Sequence, residues 1–171
     1  MNKGNYILIV EDSQTQARQI ELSLKPLGHP VFVALDPKDA IKMLKKEKAM
    51  LVIADIVMPE MDGYQLCRVI KSDMGLKDMP VVLLTRLSDP KEIIKGLECS
   101  ADDFIVKPYS EELLLTRIRT ILALQARHDK LAAPNHDDNE INTSGIEVAF
   151  GGELYVITAS RRQALNFLLS I

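Results

Sequence analysis

The sequence predicts an α/β domain in which five parallel strands form one doubly wound sheet with helices on both faces. Short runs of aliphatic and β-branched residues recur along residues 5–127, as is typical of strands buried on both faces. An amphipathic segment with helical spacing follows each run. This strict alternation favours a parallel sheet, and the common spatial order for five such strands is 2-1-3-4-5.

The predicted strands are short apolar runs, each bounded by polar or turn residues. They span residues 6–10, 31–34, 50–54, 80–84 and 104–106. In the order 2-1-3-4-5 the winding reverses between the first and third strands. A ligand crevice is therefore expected at the carboxyl ends of these two strands.

Capping signals and apolar spacing place a helix after each strand. Asp36-Pro37 and Asp89-Pro90 each combine an N-cap with proline at the first helical position, which is a common way to open a helix. The predicted helices are, in order, Ala17 to Gly28, a segment opening at Asp36, Gly63 to about Asp73, a short segment opening at Asp89, and Ser110 to near Arg127.

The chain changes character after this domain. Residues 128–145 contain Asn, Asp, Ser, Gly and Pro and lack periodicity, which indicates a linker. In residues 146–171, Gly151-Gly152 separates two β-rich runs and predicts a hairpin, and Ser160 then caps a helix to Ile171. A two-stranded hairpin is not stable alone. This extension is thus expected to pack on the main domain, pair with another chain or begin a further module.

Composition excludes several function classes. Hydrophobic residues make up 47% and charged residues 26% of the 171 residues, with a net charge of −3, which is typical of a soluble globular protein. This balance gives no reason to expect direct nucleic-acid or membrane binding. Cys67 and Cys99 lack metal or redox spacing, so we expect reduced core residues in a cytoplasmic protein.

Polar side chains stand at four of the predicted strand ends. Glu11 and Asp12 follow the first strand, Asp55 the third, Thr85 the fourth and Lys107 the fifth. Each of them alone is an ordinary turn residue or strand exit. Together they are specific, because the fold brings these strand ends to one edge of the sheet.

The chemistry of this set points to phosphoryl transfer. Three crowded carboxylates repel one another unless a cation joins them, and their hard oxygens suit Mg²⁺, with Mn²⁺ as the alternative. Asp55 comes from the central strand, where a carboxylate can act as a nucleophile toward phosphorus and form an acyl phosphate. Lys107 offers a positive charge and Thr85 a hydroxyl donor to phosphate oxygens.

Four stretches of the sequence resemble the receiver domain of two-component response regulators. They are ILIVEDS at 7–13, ADIVMPEMDGYQLC at 54–67, VVLLT at 81–85 and GLECSADDFIVKPYS at 96–110. The resemblance covers roughly residues 5–125 and implies the flavodoxin-like receiver fold. It extends, weakly, to the C-terminal extension, which is similar to the segment joining an N-terminal receiver to a downstream histidine kinase or signalling helix.

The resemblance implies a role for each matching residue at the strand ends. Asp55 would be the phosphoacceptor, and Glu11 and Asp12 would hold Mg²⁺ with it. The backbone carbonyl of Val57 would complete the metal site, and Lys107 would contact the phosphoryl group.

The resemblance also implies a switch between two conformations. Thr85 would be drawn toward the phosphoryl oxygens, and Phe104 would turn inward into the space that this movement frees. The face formed by the fourth helix, fifth strand and fifth helix would then change its affinity for partners. The alternative for Phe104 is a plain core aromatic in the fifth strand.

The implied function is a phosphorylation-activated signalling switch rather than a turnover enzyme. Its partner would be a histidine kinase or phosphotransfer protein, and a homodimer could form through the switch face or the C-terminal extension. One alternative is a phosphorylation-independent pseudo-receiver scaffold, which would typically lack Asp55 or Lys107. Another is an Asp-nucleophile phosphohydrolase, which would need a second aspartate at the position of Val57.

Three residues around the expected site depart from the family pattern. Arg86 stands where the family usually has a small residue. Val57 and Leu87 are apolar at positions that often help to place the attacking water. We therefore expect slow self-dephosphorylation.

Overall fold

The computed structural model confirms the predicted doubly wound sheet. It describes residues 4–86, 95, 98–131, 146–150 and 153–157. Five parallel strands lie in the order β2-β1-β3-β4-β5. They are β1 (Ile7–Val10), β2 (Val31–Ala34), β3 (Leu51–Asp55), β4 (Val81–Thr85) and β5 (Asp103–Val106).

Two of the strands that lead to the predicted site, β3 and β4, run one residue further than the sequence suggested. Asp55 and Thr85 are the last residues of β3 and β4 rather than the first residues after them. The parallel ladder continues through this point, since Asp55 pairs with Leu84 and the Ile56 amide donates to the Leu84 carbonyl at 3.2 Å. The ladder therefore fixes the backbone position of Asp55, from which its side chain extends.

Helices cover both faces of the sheet. They are α1 (Gln14–Leu24), α2 (Pro37–Lys46), α3 (Gly63–Ser72) and a long helix (Glu111–Leu131). A 3-10 turn, Lys25–Leu27, follows α1, and Gly28 ends it with φ 71°, a conformation that favours glycine.

The predicted end of the last helix near Arg127 is wrong. The long helix continues to Leu131, into the segment that was expected to be a linker. No glycine or proline interrupts the chain before Pro134, so nothing in this stretch stops the helix.

Parts of the predicted fold lie outside the described residues. The fourth helix is one, although Lys95 within its span is helical. The helix after Ser160 is another. The predicted hairpin is present as β6 (Ile146–Phe150) and β7 (Glu153–Ile157), which pair antiparallel.

The core forms two layers, one on each face of the sheet. One layer joins alternate strand residues to α2 and α3, and its members include Leu8, Val10, Leu44, Leu66 and Ile70. The other joins the intervening strand residues to α1 and the long helix, and its members include Ile9, Ile20, Ile53, Leu114 and Ile118. Because side chains alternate along a strand, burial of both sets fixes the strand register.

Lys71, near the end of α3, ties together the amino ends of β4 and β5. Its ammonium donates to the Met79 carbonyl at 2.9 Å and to Asp102 Oδ2 at 2.7 Å. The same Asp102 oxygen accepts from the Val81 amide at 2.8 Å, and the Asp102 amide donates to the Val81 carbonyl at 2.9 Å. Lys71 is 14% exposed and Asp102 is 40% exposed, so this ion pair is only partly shielded from solvent and salt.

The turn from β3 into α3 depends on a close backbone approach at Gly63. A Cβ atom at this position would lie 2.4 Å from the Asp55 carbonyl oxygen and 2.9 Å from Ile56 Cα. Next to it, Asp62 and Gln65 form a capping box, with reciprocal hydrogen bonds of 2.7 and 3.0 Å. This arrangement starts α3 directly against the strand end that carries Asp55.

We expect Gly63→Ala to destabilise the domain by about 1–3 kcal/mol in free energy of unfolding, because the added methyl meets backbone atoms that cannot move aside. Gly75→Ala is the matched control, since its Cβ would meet only the Asp73 side chain, at 3.1 Å. Urea unfolding followed by circular dichroism measures both. Equal stability of the two variants would contradict the close-approach argument.

Candidate functional site

Three carboxylates meet at the carboxyl edge of the sheet, as the sequence predicted. Glu11 follows β1 and is fully buried, Asp55 ends β3 and is 9% exposed, and Asp12 is exposed. One ligand oxygen from each lies within 4.8 Å of the others. Such crowding of like charges is costly unless cations offset it.

Lys107 supplies one positive charge to this cluster. Its Nζ lies 2.8 Å from Asp55 Oδ1 and 3.5 Å from Glu11 Oε2, and its side chain is 15% exposed. The Lys107 amide donates to the Thr85 carbonyl at 2.6 Å, and a cis peptide bond joins Lys107 to Pro108. The Lys107 side chain therefore reaches from the end of β5, past β4, to the carboxylates at the ends of β3 and β1.

The Glu11 carboxyl is harder to ionise in the folded chain than in water. Burial raises the pKa of the Glu11 carboxyl above its usual value, and the nearby Asp55 charge raises it further. The Ser13 amide, which donates to Glu11 Oε1 at 3.2 Å, lowers this pKa, and so does the Lys107 charge. Because the net shift is upward, an additional cation would stabilise the ionised form of Glu11.

The donor set fits a divalent cation with a preference for oxygen. Mg²⁺ is typically bound by one or two carboxylates, with water and phosphate oxygens completing its shell, and carboxylate oxygens are suited to Mn²⁺ as well. Glu11, Asp12 and Asp55 supply such oxygens, and Asp12 is open to solvent.

Asp55 opens onto a cleft of ≈ 280 Å³. Thr85 is buried at 2% exposure on one wall, whereas the Val57 side chain is 69% exposed on another. Arg86 is exposed at the rim, and Leu87 lies outside the described residues. The lining residues are Asp12, Gln16, Asp55, Ile56, Val57, Leu84, Thr85 and Arg86.

Phe104 is buried rather than exposed. Its side chain is 4% exposed and belongs to the same core cluster as Leu83 and Ala101. Leu83 is also its neighbour across the β4–β5 ladder. The ring therefore occupies an inward position, which fits both the core aromatic and the inward form of a switch residue.

Two residues near the site were not predicted from the sequence. Gln16 Oε1 accepts a hydrogen bond from Lys107 Nζ at 3.1 Å. Burial raises the pKa of the Tyr109 phenol to about 12, and the charges of Glu11 and Asp55 add to this effect. Both residues border a second cavity of ≈ 450 Å³ between α1 and the segment after β5, and Lys107 also lines it.

No helix in the part of the chain that the structure describes is long and apolar enough to span a membrane.

Curated proteins similar to this chain are transcriptional regulators. The probable transcriptional regulator ycf27 of Porphyridium aerugineum is 38% identical over 133 residues, which are 78% of this chain and 53% of the relative. The ycf27 protein of Cyanophora paradoxa is 31% identical over 170 residues, covering 96% of this chain and 70% of the relative. This chain therefore spans about half the length of several curated relatives.

Solved structures with this fold are signal receiver domains. The receiver domain of a signal transduction histidine kinase from Syntrophus aciditrophicus matches with a TM-score of 0.68 and 36% identity, over 80% of this chain and 99% of that one. The chemotaxis protein CheY4 of Vibrio cholerae matches with a TM-score of 0.64 and 26% identity, over 68% of this chain and 97% of that one.

A sequence model of the response regulator receiver domain matches residues 7–119, the segment that contains the sheet, the carboxylate cluster and Lys107. This match covers two-thirds of the chain and agrees with the fold of the solved structures: the chain belongs to the response regulator receiver domain family.

Proposed function

We propose that this chain is a signalling switch that accepts a phosphoryl group on Asp55 from a histidine kinase or phosphotransfer protein. The observation that carries the proposal is the position of Asp55. Its carboxylate lies at the cleft, within the carboxylate cluster, and Lys107 Nζ contacts it at 2.8 Å. The Asp55 carboxylate is therefore a nucleophile that is open to the cleft and has a neutralising positive charge beside it.

The proposed reaction is a direct displacement at phosphorus. An Asp55 carboxylate oxygen forms the new P–O bond while the bond from phosphorus to the donor atom breaks, and the donor keeps the electron pair and takes up a proton. Lys107 offsets negative charge that develops on the phosphoryl oxygens. A divalent cation held by Glu11, Asp12, Asp55 and the Val57 carbonyl would supply further charge neutralisation. The product stays on the chain, so this is not a turnover enzyme.

Thr85 and Phe104 are the proposed links from the site to the surface. Thr85 is buried and lines the same cleft as Asp55, so phosphoryl oxygens added to Asp55 would enter the space that Thr85 borders. Phe104 lies on β5, which pairs with β4. In this ladder Thr85, the last residue of β4, stands opposite Val106 of β5. Phosphorylation would bias Phe104 toward the inward position described above, as a two-state element biased by local charge.

The proposed output surface includes β5 and the long helix. Arg117 of that helix lies 3.4 Å from Asp103 Oδ2, at the first residue of β5, so the two elements are joined by an ion pair. The surface, or the C-terminal extension, would bind partners or a second copy of the chain. Our expectation of no direct nucleic-acid binding concerns only these residues and stays a prediction, because the longer relatives are transcriptional regulators.

The wall of the cleft supports slow self-dephosphorylation. Hydrolysis of the acyl phosphate requires a water molecule placed opposite the aspartyl oxygen. Val57 lines the cleft and is 69% exposed, but its side chain offers no hydrogen bond to such a water. The phosphorylated form should therefore persist.

We expect acetyl phosphate with Mg²⁺ to add one phosphoryl group to the chain, because the donor's phosphorus can reach Asp55 through the open cleft. Intact-mass analysis measures the gain. The Asp55→Asn variant should show none, since its amide is not a nucleophile of this kind, and chelation of Mg²⁺ by EDTA should suppress the reaction in the unmodified chain.

Two results would favour the alternatives. No mass gain in the unmodified chain would support a pseudo-receiver scaffold. Sustained turnover of p-nitrophenyl phosphate that Asp55→Asn abolishes would support a phosphohydrolase, and we expect no such turnover.

The phosphoryl group is expected to persist for minutes or longer after the donor is removed in the presence of Mg²⁺. Val57→Asn should shorten this half-life by about tenfold, because its amide can place the attacking water. Val69→Asn is the control, since Val69 is also partly exposed, at 42%, but lies on α3. A half-life of seconds in the unmodified chain would contradict the proposal.

Thr85→Val should leave Asp55 reactive but weaken the conformational response, because it removes only the hydroxyl. In ¹H–¹⁵N spectra with beryllofluoride and Mg²⁺, we expect shifts near Asp55 to remain and those at Phe104 to shrink. Thr120→Val is the control, as the Thr120 hydroxyl donates to the Thr116 carbonyl at 2.9 Å on the long helix. Unchanged shifts at Phe104 would exclude Thr85 as the link.

A further inference from the structure

We infer that Gln16 is a positioning residue that holds Lys107 over Asp55. The inference rests on the proposed function and adds a residue to its machinery. Lys107 has three N–H donors and, among the described residues, three acceptors: Asp55 Oδ1 at 2.8 Å, Gln16 Oε1 at 3.1 Å and Glu11 Oε2 at 3.5 Å. The number of these acceptors equals the number of N–H donors on the ammonium.

Gln16 differs from the other two acceptors in charge. Asp55 and Glu11 both belong to the carboxylate cluster, so a divalent cation in that cluster would draw on their charge and repel the Lys107 ammonium. Gln16 is neutral and is not a member of the cluster. Its hydrogen bond to Lys107 is therefore the contact that depends least on whether the cluster holds a cation.

The backbone of Gln16 is fixed by the start of α1. The Gln16 amide donates to Ser13 Oγ at 3.4 Å, and the Ser13 amide donates to Glu11 Oε1 at 3.2 Å. Lys107 contacts both Gln16 and Glu11, so the hydrogen bonds close a ring through Glu11, Ser13, Gln16 and Lys107. A lysine side chain is flexible, and this ring limits where its ammonium can lie.

Gln16 also lies on the boundary between the two cavities. It lines the cleft that contains Asp55 and, together with Lys107, the second cavity beside α1. Without the Gln16 carbonyl, the Lys107 ammonium could swing from Asp55 toward this second cavity. Such a displacement would take the positive charge away from the phosphoryl group.

The test compares the full chain with its Gln16→Met and Gln19→Met variants. Met is of similar length but offers no comparable acceptor. Gln19 is an exposed glutamine of α1 that lines the second cavity but not the cleft. Phosphoryl incorporation from acetyl phosphate is followed by intact mass across a Mg²⁺ titration, and Mg²⁺ binding and the thermal unfolding midpoint are measured separately.

We expect Gln16→Met to lower the rate at saturating Mg²⁺ by about tenfold, because the Lys107 charge is misplaced. The Mg²⁺ concentration for half-saturation and the unfolding midpoint should not change, and Gln19→Met should behave as the unmodified chain. In a Lys107→Met background, Gln16→Met should change the rate by less than about twofold, as required for a residue that acts through Lys107.

Three outcomes would overturn the inference. One is a Gln16→Met rate within about twofold of the unmodified chain, and another is an undiminished effect in the Lys107→Met background. The third is a joint loss of Mg²⁺ affinity and thermal stability in Gln16→Met, which would indicate general disturbance of the site. If the unmodified chain itself takes up no phosphoryl group, the proposed function fails and this inference falls with it.

Discussion

The ion pair between Lys107 and Asp55 is the interaction on which the rest of the site depends. Three carboxylates with oxygens within 4.8 Å of one another would repel strongly, and burial makes Glu11 harder still to ionise. The ammonium, 2.8 Å from Asp55, offsets part of this repulsion in the folded chain. In the proposed reaction the same ammonium would offset charge on the transferring phosphoryl group, so one side chain would serve both stability and chemistry.

The backbone delivers these charges with little freedom. The parallel ladder runs through Asp55 itself, and Gly63 lets α3 begin directly against its carbonyl group. Lys107 is held in turn by the hydrogen bond from its amide to Thr85. The site is therefore built from strand ends rather than from a loop, and preorganisation of this kind lowers the cost of stabilising charge during a reaction.

Sequence reasoning found most of the fold and the charged residues of the site because both follow from simple periodicities. The alternation of apolar runs and helical spacing predicted the strand order. The positions at the predicted strand ends identified Asp55 and Lys107 as site residues. Gln16 was missed because it lies on a helix, where no strand-end argument applies and an isolated glutamine carries no signal. The inward position of Phe104 could not be predicted either. The switch and core interpretations both place Phe104 on the fifth strand, and its side-chain position depends on packing in the cluster that contains Leu83 and Ala101.

The contacts of Lys71 bear on how β4 and β5 are aligned with each other. They join the amino ends of β4 and β5, through the Met79 carbonyl, Asp102 and Val81. Thr85 and Lys107 stand at the opposite ends of these two strands. Together with the β4–β5 ladder, the Lys71 contacts hold these strands in register, so the relative position of Thr85 and Lys107 depends in part on contacts at the opposite edge of the sheet.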